Sequence, residues 1–358
     1  MSTTARPDEY AGLRARIDAA LAEFLRGQRE RAGSLDAATT TLVAAAESFV
    51  LTGGKRLRPA FAYWGYRAAG GDDSDALVAT VAALELVQAS ALVHDDVMDD
   101  SDTRRGAPAA HRRFAAEHQA AGWLGDPTDY GTAVAVLLGD LYLVWSDELL
   151  HTGGLSPTTL ARARPVFDQM RTEVTLGQYL DVLTQATGEP SVDRALSVAR
   201  LKSAKYTVER PMLLGAALAD ASPAVQAAYS GYGLPLGEAF QLRDDVLGVF
   251  GDPARTGKPA GDDLREGKRT FLVAAAYEGA DPATRELLTR RLGDPALDEA
   301  GVQELREVII KTGALERTES RIIELTEAAR AALASVALAE PGVAALASLA
   351  TAATARTG

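Results

Sequence analysis

The 358-residue sequence contains no cysteine, which excludes disulfide bonds, zinc–thiolate sites and cysteine nucleophiles. Aromatic residues make up only 6% of the chain, whereas alanine, the strongest helix former, is abundant. The formal net charge is -12, which argues against a nucleic-acid partner because a protein that binds a phosphate backbone needs a basic surface. Since a reducing compartment suits a chain without cysteine, we expect a cytoplasmic protein.

A secretory signal is also missing, because Arg6, Asp8 and Glu9 put charge where an apolar signal core would lie. The most hydrophobic stretch is Leu77–Val93, and it contains Glu85. A buried helix explains a charged, apolar stretch of this kind better than a membrane span. We therefore predict no membrane span.

Apolar residues recur three to four positions apart along most of the chain, which predicts an all-α helical bundle. Glycine and proline interrupt the pattern between the helices, and no convincing alternating strand is visible. No Pro- or Ser-rich linker divides the chain, so we predict a single domain, 1–358, with a polar loop over 252–269. The predicted helices are 8–30, 38–52, 57–69, 75–100, 130–151, 157–187, 191–219, 223–250, 270–279, 283–292, 299–312, 315–338 and 342–355.

Two acidic segments end strongly apolar helices. The first acidic segment runs from Asp95 to Asp102, and the second is Asp244-Asp245. Asp95 and Asp99 share one helix face, where like charges about 5–6 Å apart destabilise the helix unless a cation compensates. Mg²⁺ is suited to this role because it takes one or two carboxylates and completes its shell with water and phosphate oxygens. Facing acidic helices would form such a site inside a helical bundle. A solvated acidic helix end is the alternative.

Basic residues lie close to both acidic segments and in one glycine turn. The turn Gly53–Pro59 can direct Lys55 and Arg58 toward an anion at the start of a helix. Arg104 and Arg105 follow the first acidic segment, and arginine binds phosphate with two parallel hydrogen bonds. Each basic residue alone fits a solvated surface, but the combination predicts a ligand that is both metal-bound and Arg-bound, such as a diphosphate. The other basic candidates are Lys202, Lys205, Lys258 and Lys268.

In this order and spacing the motifs resemble those of the trans-isoprenyl diphosphate synthases, and particularly the actinobacterial geranylgeranyl type. The resemblance covers about Gly53 to Thr270 and is carried by the GGKxxRP turn, the first aspartate motif with its RRG, GQxxD, the KT lysine, FQxxDD and two loop lysines. These stand here as Gly53–Pro59, His94–Asp99, Arg104-Arg105-Gly106, Gly177-Gln178 with Asp181, Lys205, Phe240–Asp245, Gly257-Lys258 and Gly267-Lys268.

The resemblance implies an all-α homodimer with a deep apolar pocket, which condenses isopentenyl diphosphate with an allylic diphosphate and uses two to three Mg²⁺ ions. It implies metal binding at Asp95, Asp96, Asp99, Asp244 and Asp245, with Asp181 as support. The implied allylic site comprises Arg104, Lys205, Tyr206, Gln241, Lys258 and Lys268, and the implied isopentenyl site Lys55, Arg58, Gln88 and Arg105. The implied catalytic residues are Asp95, Asp99, Arg104, Lys205 and Asp244.

The sequence departs from the family pattern at three positions. Gln88 stands where the family often has histidine, and Tyr206 replaces the usual threonine after the lysine. Gly248 replaces the third aspartate of the second motif, so we expect that motif to carry less charge. We nevertheless expect catalysis, because Asp244 is the more direct metal ligand in the family.

In this family, residues one turn before the first aspartate form the floor of the pocket and limit product length. Here these residues are Ser90 and Ala91, which are both small, and the next turn offers Val87 and Leu86, neither of which is very bulky. Tyr142 and Trp145 of a neighbouring helix could form a lower floor. We therefore predict (all-E)-geranylgeranyl diphosphate from dimethylallyl, geranyl or farnesyl diphosphate.

Several other functions stay open at this point. The product could be longer or could stop at farnesyl diphosphate. A non-catalytic regulatory subunit would be expected to lose the acidic motifs, which this chain keeps. A calcium-binding scaffold would not explain the basic motifs, and a terpene cyclase would not need a second diphosphate site at Lys55 and Arg58.

Overall fold

The computed structural model describes residues 7–188, 190–252, 261–294 and 296–354. They form two compact units, each assembled from discontinuous parts of the chain. The first unit takes the chain up to Pro165, with Leu214–Ala221 and Leu338–Ala345, and the second takes Val166–Leu213, Ser222–Ala337 and the chain from Leu346. The prediction of a single domain stays a prediction.

Helices dominate the described residues, which confirms the all-α prediction. The helices are α1 Pro7–Leu35, α2 Thr39–Leu51, α3 Leu57–Ala68, α4 Asp75–Met98, α5 Ala110–Ala121, α6 Pro127–Thr152, α7 Pro157–Thr187, α8 Val192–Val198, a π-helix Ala199–Glu209, α9 Arg210–Leu218, α10 Pro223–Phe250, α11 Asp262–Arg265, α12 Phe271–Gly279, α13 Pro282–Arg291, α14 Glu299–Lys311, α15 Ala314–Leu333 and α16 Gly342–Thr354.

The polar connection after α4 contains a short antiparallel pair of strands that the sequence did not predict. Strand β1, Thr103–Arg104, pairs with β2, Ala107–Pro108. Helix α5, which follows, was also missed. Its buried side is formed by His111, Phe114 and His118. Because two of these three residues are histidines, the segment lacks the apolar stripe by which a helix is predicted.

Helix α4 is the central helix of the first unit and carries the first acidic segment at its end. Ser74 caps its start by accepting a hydrogen bond from the Leu77 amide. The helix stops at Met98 because Asp100 adopts a left-handed conformation, with φ 52°. Of the described helices, α4 alone is long and apolar enough to cross a membrane, and 72% of its apolar window is buried against the protein. This burial supports the interpretation of α4 as a core helix.

The region predicted as one helix over 191–219 is divided by the π-helix in the second unit. Its hydrogen bonds run between residues five apart, so its pitch departs from the 3.6-residue period that sequence patterns reveal. Helix α10 packs along it, and the buried side of α10, formed by Leu242, Val246 and Val249, lies in the core with α12. This packing directs Asp244 away from the centre of that core, while Asp245 is buried.

Candidate active site

The glycine turn before α3 is fixed by Arg56, a residue to which the sequence assigned no role. Gly53, Gly54 and Arg56 all have positive φ values, of 79°, 105° and 50°. Arg56 is buried, and its guanidinium donates to Glu85 at 2.8 Å, to Asp18 at 2.7 Å and to the Val50 carbonyl at 2.7 Å. The turn therefore holds a fixed shape that presents Lys55 on the surface and Arg58 in the first turn of α3.

Beside this turn lies a small cavity that is open to solvent. Gln88 of α4 lines it, and the buried Gln88 Oε1 has no hydrogen-bond partner among the described residues. Arg105 lines it as well and is held by a hydrogen bond from Nη1 to the Thr52 carbonyl at 3.2 Å. Two of the four predicted isopentenyl residues, Gln88 and Arg105, thus line this cavity, and the other two, Lys55 and Arg58, belong to the neighbouring turn. The complete lining is Phe49, Val50, Arg56, Glu85, Gln88, Ala89 and Arg105.

The charge around Arg105 favours an anion in this cavity. Burial lowers the pKa of the Arg105 guanidinium, and the positive charges of Arg56 and Arg104 lower it further, while Glu85 opposes them. Arginine stays protonated in proteins, so Arg105 places a positive charge in this cavity. A bound diphosphate would neutralise that charge.

The carboxylates of the first acidic segment have two different roles. Asp96 is fully buried and accepts hydrogen bonds from Arg104 Nε, at 2.8 Å, and from Arg104 Nη2. Burial lowers the pKa of Arg104, but Asp96, Asp95 and Asp99 outweigh burial and leave it raised. Asp96 therefore anchors Arg104, whose Nη2 also lies 3.6 Å from Asp95. The sequence-based assignment of Asp96 as a metal ligand stays a prediction.

Asp100 and Asp102 hold the loop that follows. Arg112 donates to Asp100 Oδ1 at 2.8 Å and to Asp102 Oδ1 at 2.9 Å. Asp95 and Asp99 remain as the carboxylates one helical turn apart, joined by the hydrogen bond from the Asp99 amide to the Asp95 carbonyl. These two are the residues of the first acidic segment best placed for Mg²⁺.

The second unit carries a row of ion pairs between α7 and the π-helix. Lys205 Nζ donates to Glu173 Oε1 at 2.9 Å, and Arg210 binds both oxygens of Glu173 at 2.7 Å. Lys202 Nζ donates to Asp181 at 2.6 Å. Glu173 was missed by sequence reasoning, although its place four residues before Gly177 and eight before Asp181 puts it on the same helix face.

This arrangement explains the GQxxD motif in physical terms. A side chain at Gly177 would overlap the π-helix, with the Leu201 carbonyl carbon 2.8 Å from its Cβ. The glycine lets the two helices approach closely, and Asp181 then reaches Lys202. Burial raises the pKa of Glu173, but its hydrogen bonds with Arg210 and Lys205 outweigh burial and leave that pKa lowered.

Around the second acidic segment, Gln241 links Asp245 to the π-helix. Gln241 Nε2 donates to Asp245 Oδ1 at 2.7 Å, and Ser203 donates to Gln241 Oε1. Burial raises the pKa of Asp245 to about 8, and the negative charges of Asp263 and Asp244 act in the same direction.

The remaining predicted residues of the second unit are placed as follows. Tyr206 is buried in the π-helix, and Lys268 binds Glu266 at 2.6 Å and lies 3.8 Å from Asp263. Lys258, also predicted to bind the allylic diphosphate, lies outside the described residues. Its role stays a prediction.

The donor set fits Mg²⁺. Both segments offer carboxylate oxygens, which hard divalent cations prefer. Among the described residues, no group of three or more acidic, histidine or cysteine side chains is close enough to enclose a metal. Mg²⁺ suits such an open site because it keeps several waters and binds substrate phosphate oxygens.

Comparison with known proteins agrees with this geometry. The polyprenyl synthetase family model matches residues 39–309. This chain belongs to the polyprenyl synthetase family. The predicted family is thereby confirmed, and with it the prediction of a prenyltransferase that acts on isoprenyl diphosphates, in a family that uses Mg²⁺.

Individual relatives span most of the chain. A geranylgeranyl pyrophosphate synthase from Corynebacterium glutamicum, solved with isoprenyl diphosphate and magnesium, is 44% identical with a TM-score of 0.92, covering 95% of this chain and 98% of that one. A geranylgeranyl diphosphate synthase from Mycobacterium tuberculosis is 34% identical over 77% of this chain and 75% of its own length. A geranylfarnesyl diphosphate synthase from Aeropyrum pernix is 33% identical over 76% of this chain and 80% of its own length.

Proposed function

We propose that the protein condenses isopentenyl diphosphate with dimethylallyl, geranyl and farnesyl diphosphates, head to tail, to give (all-E)-geranylgeranyl diphosphate. One observation carries the proposal. Gln88 and Asp95 lie seven residues apart on α4, so they share a helix face about 10 Å apart. The cavity lined by Arg56 and Arg105 and the carboxylate pair of Asp95 and Asp99 are therefore neighbouring but separate, as a condensing enzyme with two diphosphate substrates requires.

Within this function, Arg105, Arg58, Lys55 and Gln88 would hold isopentenyl diphosphate. Arg104, fixed by Asp96, would bind the allylic diphosphate, together with Lys205 and the other basic residues that the family motifs contribute. Such preorganised cations stabilise the charge that develops on a departing diphosphate. Mg²⁺ at Asp95, Asp99 and Asp244, two to three ions in all, would neutralise that diphosphate and make it a better leaving group.

The reaction itself needs no nucleophilic side chain. The allylic C–O bond breaks, the isopentenyl alkene forms the new C–C bond with the carbocation, and the released pyrophosphate takes the proton. Apolar surroundings protect the carbocation from water. The chain thus positions both substrates and excludes solvent.

The product length follows from small residues on α4. Ser90 and Val87 are buried, and Ala91 is half-buried. Tyr142 and Trp145 of α6 are buried as a T-shaped pair with ring centroids 6.2 Å apart, and Tyr142 donates to the Ala46 carbonyl at 2.8 Å. This rigid aromatic pair supports a lower floor that stops the chain at geranylgeranyl length, whereas Ser90 and Ala91 permit growth past farnesyl.

We also propose a homodimer that works as one functional domain in the cytoplasm. Helix α6 exposes an apolar row to solvent, which a second copy would cover. The row consists of Val136, Leu137, Leu143 and Val144. A cytoplasmic location suits an enzyme whose substrates are water-soluble diphosphates.

A product assay tests the function. The purified protein is incubated with radiolabelled isopentenyl diphosphate and each allylic primer, with Mg²⁺ or with EDTA, and the products are separated by chromatography. We expect geranylgeranyl diphosphate from all three primers and no product in EDTA. A product that stops at farnesyl, or one that extends beyond geranylgeranyl, would contradict the proposed length. Inactivity of the isolated protein would favour the regulatory subunit.

A further inference from the structure

The end of α4, which carries Asp95 and Asp99, is intrinsically weak as a helix. The two like charges lie one turn apart and repel each other. They also lie at the C-terminal end of the helix, where the helix dipole favours positive charge over negative charge. Asp100 then ends the helix in a left-handed conformation. The shape of this last turn therefore depends on contacts that come from outside α4.

His94 joins this end of α4 to α6. Its imidazole lies directly over Gly139, because a Cβ atom built at Gly139 would be 2.1 Å from His94 Nε2 and 2.4 Å from His94 Cδ2. The same nitrogen lies 3.1 Å from the Val136 carbonyl oxygen, which can only accept a hydrogen bond, so Nε2 is the donor. Asp140 Oδ1 lies 3.6 Å from Nε2, beyond hydrogen-bond distance. The Val136 carbonyl is therefore the partner that fixes the ring.

A second close contact joins the same two helices near the start of α4. A Cβ atom built at Gly153 of α6 would be 2.4 Å from Thr80 Oγ1. Thr80 and His94 are fourteen residues apart on α4, and Gly139 and Gly153 are fourteen apart on α6. Fourteen residues make about four helical turns, so both contacts lie on one face of each helix. The antiparallel helices are thus held closely at two levels, and the His94 contact is next to the acidic segment.

We propose that His94 is a positioning residue, which holds the end of α4 against α6 and thereby sets the direction of Asp95 and Asp99. The inference rests on the proposed function, in which these two carboxylates bind Mg²⁺ together with a diphosphate. Successive residues of a helix point about 100° apart, so Asp95 points away from the side of α4 on which His94 meets α6. His94 therefore acts through the rotation of the helix end and not by contact with the metal or the substrate.

The donor nitrogen decides which substitutions test the proposal. Glutamine carries its amide nitrogen about as far from the backbone as His94 Nε2, so His94→Gln can keep the hydrogen bond to Val136. Asparagine is shorter, so His94→Asn loses that bond. Gly139→Ala breaks the same contact from α6, because the added methyl group takes the place of the ring. Thr80→Ala is the control, since it loosens the other contact of the same helix pair with a fully buried side chain.

The experiment measures Mg²⁺-dependent binding of inorganic pyrophosphate by isothermal titration calorimetry, for the full-length wild type and these four variants. Circular dichroism checks that each variant is folded, and urea unfolding measures its stability. We expect His94→Asn and Gly139→Ala to bind pyrophosphate about tenfold more weakly at the same Mg²⁺ concentration, as when a residue that orients metal ligands is lost. His94→Gln should bind like the wild type. Thr80→Ala should also bind like the wild type, although it unfolds at a lower urea concentration.

Normal binding by His94→Asn or by Gly139→Ala overturns the inference, and if one of the two does not fold, the other decides. Weak binding by His94→Gln also overturns it, since the hydrogen bond from the Nε2 position would then not be the property that matters. An equal loss in Thr80→Ala would show that binding follows the stability of the helix pair and would likewise overturn the inference. Failure of the wild type itself to bind pyrophosphate would instead count against the proposed function.

Discussion

Arg56 and Glu85 form a buried ion pair, with 2.8 Å between Arg56 Nη1 and Glu85 Oε2 and only 2% and 4% of their side chains exposed. The pair joins the glycine turn before α3 to the middle of α4, and Asp18 of α1 adds a third charge at 2.7 Å. Arg56 thus fixes the turn that carries Lys55 and Arg58.

Replacing Arg56 should destabilise the fold and weaken isopentenyl diphosphate binding. In Arg56→Met, Glu85 is left buried without its partner, which costs about 3–5 kcal/mol. Urea unfolding measures the loss of stability, and steady-state kinetics should show a raised KM for isopentenyl diphosphate. The control is Arg26→Met, since Arg26 pairs with Glu23 on the exposed side of α1. Equal stability of the two variants would refute the prediction.

Single substitutions in the first acidic segment should affect activity differently, according to the role of each residue. We expect Asp95→Asn and Asp99→Asn to lower kcat by about a hundredfold or more, because the charge on the departing diphosphate is then less well stabilised. Asp100→Asn should keep most of the activity, since Asp100 is held by Arg112 in the following loop. A comparable loss in all three variants would show that the division is wrong.

A bulky residue at the pocket floor should shorten the product. Ser90 is buried on α4 one turn before the first acidic segment. We expect Ser90→Phe to give farnesyl or geranyl diphosphate as the main product, whereas Ser90→Ala keeps geranylgeranyl diphosphate. Chromatography of the labelled products measures the product length. An unchanged product from Ser90→Phe would show that Ser90 is not part of the pocket floor.

Glu173 should contribute stability that depends on pH. Its pKa is lowered in the folded state by Arg210 and Lys205, despite burial, so its contribution is present above the ordinary value of 4.5 and is lost as pH falls through the lower folded-state pKa. We therefore expect Glu173→Gln to be less stable than the wild type at pH 7, and the difference to shrink below about pH 4.5. Urea unfolding across pH 3–7 measures it. A difference that is constant with pH would contradict the assignment.

The apolar row on α6 should mediate self-association. We expect Leu137→Glu combined with Val144→Glu to yield monomers in light scattering, because the charges would face a second copy. Leu124→Glu is the control, since Leu124 is 99% exposed in the loop before α6. A wild type that is already monomeric, or a dimeric double variant, would reject this surface.

The sequence predicted the long helices closely because their apolar period and their caps agree. The prediction for α10, 223–250, matches Pro223–Phe250, which begins with a serine cap and a proline. The prediction 75–100 runs two residues past α4, since periodicity does not reveal the left-handed Asp100. The π-helix was missed for a similar reason, because its period differs from the one sought.

The sequence predicted the motifs of the candidate site but not which of their residues contact each other. Spacing along one helix placed Asp95 with Asp99, whereas the pairing of Arg56 with Glu85 depends on how distant helices pack. Local sequence patterns indicate which residues share one face of a helix. Only the folded structure shows which helix faces pack against each other.

The ion pairs that Glu173 forms with Lys205 and Arg210 have a consequence for ligand selection. Both cations are bound by a carboxylate of the same chain, and tethering gives a partner an effective concentration in the millimolar range. Free chloride or a simple carboxylate offers a single charge and must compete with that tethered group. A diphosphate carries more charge and more acceptor oxygens, so it can displace Glu173 where weaker anions cannot. In the proposed function, the ion pair would therefore act as a threshold that reserves Lys205 for multiply charged ligands.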